Sequence, residues 1–146
     1  MKALSIKQPW ASLVVTGTKR IECRTWKTNF RGPLLICSSK GDMEWEDGGD
    51  QLILPGGMAL GVVDLLDVRP MTRDDLETAY LPDEWQTDAL QGYAWHISPL
   101  YSIVPFPIKG KLNLFNVDNP LEKIPESIVD HWEYLRFQQG RSYKTR

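Results

Sequence analysis

The chain has 146 residues, 42% hydrophobic and 25% charged, with a net charge of −2. That is the balance of one soluble globular domain. It excludes a membrane span, because no run approaches the roughly 20 apolar residues a spanning helix needs. The start, Met1–Lys7, has no long apolar stretch and does not read as a signal peptide. Cys23 and Cys37 make no disulfide framework and read as buried residues in a reducing cytoplasm. His96 and His131 have no Cys or His at ligand spacing, so no metal or cofactor is expected.

Lys2–Ile6 alternates as a first strand. Pro9–Thr16 reads as a short helix. Pro9 suits its first turn, where a missing N–H is harmless, and Gly17 suits its C-cap, where left-handed backbone is cheap. Arg20–Trp26 alternates as a strand, Lys27–Gly32 is a polar turn, and Pro33–Ser39 is a continuous apolar run typical of a buried strand. Gly41–Gly57 is rich in Gly and acids and reads mostly as loop, with a short helix near Met43–Asp47. Met58–Val68 is the clearest strand, ended by Pro70, which cannot donate to a ladder. Thr72-Arg73-Asp74-Asp75 resembles a capping box opening a helix to about Tyr80. Asp83–Gln91 is polar without clear period. Tyr93–Ile97 alternates as a strand, continued after Pro99 by Leu100–Val104. Pro105–Lys111 is a stiff turn bearing Lys109 and Lys111, and Leu112–Val117 returns as a strand. Pro125–Gln139 is the strongest helical pattern, with Ile128, Trp132 and Leu135 on one face, followed by a basic tail expected to fray. The sum is an α+β domain or a small mixed β-barrel.

The near-neutral total conceals an uneven distribution. Residues 1–40 hold eight Lys/Arg and one acid, a balance of +7. Residues 41–100 hold two Arg and thirteen acids (−11), and residues 101–146 come to +2. A local basic patch binds phosphate even in an acidic protein, unless folding interleaves the acidic segment and cancels its field. The basic segment also contains Gly17-Thr-Lys19-Arg-Ile-Glu22-Cys-Arg24. Residues two apart on a strand share a face, so Glu22 and Arg24 point the same way, with Lys19 at the turn beside them. Two readings stand at this point: a solvated edge pair worth little, or a charged corner lining a site.

The Gly17-x-Lys19-x-x-Glu22-x-Arg24 spacing resembles the motif of the ASCH domain, a relative of the PUA superfamily. Ser5-Ile6-Lys7-Gln8-Pro9-Trp10-Ala11 resembles that family's N-terminal element, and Ile36-Cys37-Ser38-Ser39-Lys40 its next strand. Gly61–Asp64 and Pro107–Lys111 with Leu114–Val117 resemble later segments, so the likeness spans about residues 1–118. It implies an α+β, PUA-like small mixed β-barrel with short helices at its openings, to which this chain adds a C-terminal helix. It is similar in size to small stand-alone bacterial or phage-type members. It implies a cleft lined by the motif's charges and an RNA partner. Some members deacetylate modified cytidine or cut RNA. The deacetylating branch has Thr where this chain has Glu22, and neither Thr18 nor Thr25 stands at that place.

The candidate binding residues are Lys7, Gln8, Trp10, Lys19, Glu22, Arg24, Ser38, Ser39, Lys40, Lys109 and Lys111. Arg24 suits a bidentate phosphate clamp, Lys19 a point charge, and Glu22 an acceptor for the exocyclic amine of cytosine or adenine. Trp10 reads equally as a stacking surface or as core, and Lys109 and Lys111 as phosphate contacts or an ordinary solvated turn. No helix-turn-helix, zinc finger or long basic helix is present to enter a major groove, so single-stranded or modified RNA is the expected partner, not duplex DNA. In a hydrolase of acylated nucleosides or RNA, Lys19 and Glu22 would be the catalytic pair, with Ser38 or Ser39 assisting. A purely structural or protein-interaction role is the third alternative.

Overall fold

The apolar run near residue 35 forms β3 (Gly32–Ser38) and has a hydrophobic cluster on each side. Alternate residues face opposite ways along a strand. Leu34 and Ile36 therefore join one cluster, with Leu4, Ile6, Leu60, Val63 and Trp95, while Leu35 and Cys37 join the other, with Ala3, Ala59, Val62 and Phe115. Burial on both faces is why the run carries no polar alternation. The computed structural model describes residues 1–118 and 128–139.

β3 pairs in parallel with β1 (Lys2–Ile6) and antiparallel with β6 (Met58–Pro70). The sheet continues through β7 (Tyr93–Pro107) to β2 (Ile21–Arg24) on one side. On the other side β1 pairs with β8 (Phe115–Asn116). Helix α1 (Trp10–Val15) covers the first cluster with Ala11, Val14 and Val15. The fold is α+β, as its element pattern implies.

Several elements differ from the sequence reading. β6 runs through Pro70 instead of stopping before it. Its ladder with β3 ends at Leu65, so the later part of β6 is an edge on that side, where a proline is tolerated. β7 is one strand across Pro99, because a register shift against Val62 and Val63 leaves Leu100 unpaired and absorbs the break. Met43–Asp47 is not helical. It is β4, paired with β5 (Asp50–Leu54) across Gly48 and Gly49. Both glycines have positive φ (58° and 84°), as a two-residue hairpin turn requires. The helix expected from Thr72 shrinks to α2 (Leu76–Ala79), although Asp75 does accept from the Thr72 backbone N–H at 2.9 Å. Tyr80 then turns the chain with φ of 54°. Residues 83–89 form a 3-10 turn (Asp83–Trp85) and α3 (Gln86–Ala89). Only Phe115–Asn116 of the expected 112–117 strand is regular.

The C-terminal helix begins later than expected. Ile128–Val129 is β9, paired with β7, and α4 runs His131–Gln138 behind the N-cap Asp130, which accepts from Glu133 N at 2.9 Å. The start of the expected helix, 125–127, and the basic tail lie outside the described residues. Trp132 and Leu135 pack on Leu52, Leu54 and Trp45 of the hairpin. Arg136 ties the two together, bonding both Asp47 and Asp50.

Candidate nucleic-acid interface

The corner that carries the motif begins at the end of α1. Gly17 (φ +85°) makes the left-handed turn, and a Cβ there would meet Pro99 at 2.9 Å. Lys19 N then bonds Leu13 O at 3.0 Å, which directs the Lys19 side chain inward. Its ammonium donates to the Ala79 carbonyl at the end of α2 and lies 3.6 Å from Glu22 Oε1. Arg24 Nη2 meets the other oxygen, Glu22 Oε2, at 2.9 Å and the Ser5 carbonyl at 2.9 Å. One carboxylate is thus held between two cations. The Lys19 side chain is 1% exposed, Glu22 10% and Arg24 23%.

Burial holds the Lys19 pKa below its ordinary value, and Glu22 offsets part of that shift. Ser5 Oγ and Arg24 Nε are buried without a hydrogen-bond partner, so polar capacity remains unspent at this wall. Cys23 also lines the cleft, but burial pushes its thiol up to about 11 and keeps it neutral near pH 7. Cys37 is buried and pushed up to about 12.

The trio faces a cleft of about 590 Å³. Trp10 and Trp85 form an aromatic wall, with ring centroids 5.5 Å apart and planes 46° apart. Trp10 Nε1 donates to Tyr80 O at 3.0 Å, which fixes its ring. Lys7 and Ser39 lie at the rim, and Asp88 adds one acid. Gly92 belongs here because a Cβ would sit 2.6 Å from Arg24 O. A second cleft of about 740 Å³ shares Lys7, Trp10 and Leu81 and extends to Lys40 and the hairpin.

The expected residues separate accordingly. Lys7, Trp10, Lys19, Glu22, Arg24 and Ser39 line the first cleft. Lys40 and Gln8 line the second, but both ends of the Gln8 amide are taken, by Pro55 O and Ser12 N. Ser38 is buried, and its hydroxyl bonds the Met58 backbone, away from both clefts. Lys109 and Lys111 are exposed and line neither; Gly110 between them abuts Ser5, where a Cβ would lie 2.2 Å from Oγ. Lys19 is an internal anchor, not a free point charge. The sequence reading missed Trp85, Leu81 and Asp88. A large aromatic in an otherwise polar, aperiodic segment was the available signal for Trp85. Among the described residues, no three His, Cys, Asp or Glu side chains gather as metal ligands do, and no helix is long and apolar enough to cross a membrane.

Activating signal cointegrator 1 of Homo sapiens is 28% identical over 135 residues, covering 82% of this chain and 23% of that protein. The Mus musculus protein is 29% identical over 140 residues with the same coverage. The chain therefore spans about a quarter of the length of these curated relatives. The crystal structure of ASCH from Zymomonas mobilis shares the fold, with a TM-score of 0.60 at 14% identity over 80% of this chain and 87% of that one. A Tyr-to-Phe mutant of the same protein matches equally, covering 89% of its chain. The ASCH domain model matches residues 4–107, which include the whole charged corner, and the chain belongs to the ASCH domain family.

Proposed function

We propose that this chain binds RNA, taking an unstacked or modified base of a single strand into the cleft beside Glu22. The observation that carries this reading is a carboxylate fixed between Lys19 and Arg24 on the wall of an aromatic-sided cleft. Fixed in that way, Glu22 offers an acceptor to a base edge without reorganising. Arg24 turns the remainder of its guanidinium toward a phosphate. Trp10 and Trp85 supply faces on which a base stacks, worth about 1–3 kcal/mol per base in single-strand binders. Membership of a PUA-like family associated with RNA supports the same partner. A reducing, cytoplasmic setting suits the two free cysteines.

The test is a titration of labelled, mixed-sequence single-stranded RNA at two salt concentrations. Trp85→Ala is the informative variant, because Trp85 is 48% exposed and outside the main clusters. Affinity is expected to fall roughly tenfold or more on loss of its ring, and to fall with salt for the wild type. Equal binding by both proteins removes this cleft from the interface.

A second reading, hydrolysis of an acylated nucleoside or of RNA, draws on one observation: burial lowers the Lys19 pKa and brings the amine closer to acting as a general base. Glu22 opposes this by favouring the ammonium. Turnover of N4-acetylcytidine or RNA that vanishes in both Lys19→Met and Glu22→Gln would favour it; turnover that survives both is contamination.

A further inference from the structure

The second cleft lies between α1 and the β4–β5 hairpin, and the family motif contributes nothing to it. It adjoins the first across a shared wall, since Lys7, Trp10 and Leu81 line both. Its volume of about 740 Å³ falls within the range of roughly 300–1,000 Å³ seen for ligand sites. Its wall carries two exposed cations, Lys7 and Lys40, and the half-buried indole of Trp45. The one carboxylate, Asp42, is turned to the Gly56 backbone N–H at 2.9 Å, which spends part of its charge inside the protein. Cations beside an aromatic platform are the elements of a single-strand track.

We propose that this hairpin cleft is a second nucleotide subsite. The nucleotide adjoining the one beside Glu22 stacks against Trp45, and Lys7 and Lys40 take the intervening phosphate. The inference rests on RNA binding at the first cleft and adds to it a direction and a length. The strand crosses the Trp10–Leu81 partition, so at least two successive residues are held. The hairpin is not an independent flap. Leu135 packs on Leu52 and Leu54, and Gln139 bonds the Ile53 backbone at 2.8 Å both as donor and as acceptor, so α4 sets where Trp45 stands.

The experiment is displacement of a labelled, mixed-sequence 12-residue RNA by unlabelled mixed-sequence pools of one, two and four ribonucleotides. For the wild type, the four-residue pool is expected to compete about tenfold or more better than the mononucleotides. Trp45→Leu keeps the packing on Leu52 and Leu54 but loses the aromatic face. It should erase that gain while leaving mononucleotide competition unchanged, which also reports an intact fold. Trp45→Phe should restore most of the gain, and Lys40→Gln should remove part of it. A full gain in both Trp45→Leu and Lys40→Gln overturns the second subsite and leaves the first untouched. Failure of the 12-residue RNA to bind at all overturns both.

Discussion

The two clefts share a wall but are built differently. The first is prewired: Lys19 and Arg24 both pair with Glu22 and donate to the backbone of α2 and β1 respectively, and two of the three are almost fully buried. The second stands on a two-stranded hairpin held by α4 through partly exposed ion pairs and a small apolar cluster. Buried, mutually bonded charges fix geometry and leave little freedom. An exposed hairpin offers area and cations but adjusts. If RNA is the partner, as proposed, the first cleft is the one to select a base and the second the one to hold the strand.

The largest effect expected from breaking this contrast is at Glu22. Glu22→Ala leaves two cations facing each other in a largely buried wall, and losing one partner of a buried pair costs about 3–5 kcal/mol. Urea unfolding reads it directly. A loss below about 1 kcal/mol would mean the trio is solvated and not prewired.

Next comes the joint between the two regions. His131, at the start of α4, hydrogen-bonds Ser12 of α1 at 2.9 Å, and burial lowers its pKa from 6.5 to about 4. The unfolded chain takes up that proton near pH 6.5 and the folded chain only near 4. Stability is therefore full above about 6.5 and is lost as pH falls toward 4, by about 3 kcal/mol in all. His96, also lowered by burial and by Arg69, adds loss in the same direction. Asp75 behaves differently. Burial raises its pKa, but hydrogen bonds from Thr72 and the nearby His96 and Arg69 outweigh that, so its contribution begins to fade as pH falls through the ordinary carboxylate range and is fully lost only below it. Thermal unfolding of His131→Asn across pH 4–7 should show a flatter profile than the wild type. An unchanged slope would place the acid sensitivity elsewhere.

The smallest effect belongs to the hairpin clamp. Asp47, the partner of Arg136, is 31% exposed against 10% for Glu22, so water screens this pair and Arg136→Gln should cost about 1 kcal/mol or less overall. Hydrogen exchange should nonetheless accelerate in Asp50–Leu54 and remain unchanged in β3. Uniform acceleration would show that the hairpin and the main sheet open as one unit.

The contrast also explains what was legible in the sequence. Gly17, the alternation of Glu22 and Arg24, and the apolar run of β3 are local signals, and the elements they imply are present. The partner of Lys19 was hidden, because Ala79 is 60 residues away and offers only a backbone carbonyl. Acids and glycines dominate the hairpin's composition, which reads as loop with a short helix near Met43–Asp47. Yet Gly48-Gly49 between Met43–Asp47 and the alternating Leu52 and Leu54 is a hairpin signature. The apolar spacing from Ile128 through Trp132 and Leu135 favours a helix from Pro125, but Asp130 caps it five residues later. Ser38 looked available beside Ser39, but one residue along a strand reverses the face: Ser39 reaches the cleft and Ser38 turns to Met58.

The six tryptophans provide the most direct measurement of the central claim. In a ¹⁵N–¹H spectrum of the full chain titrated with mixed-sequence single-stranded RNA, the indole signals of Trp10 and Trp85 should move with mononucleotides. That of Trp45 should join them only with longer strands. Trp95, fully buried with its Nε1 bonded to Trp26 O, should stay in place. If RNA shifts other parts of the spectrum while the Trp10 and Trp85 indoles remain still, the cleft beside Glu22 does not bind it.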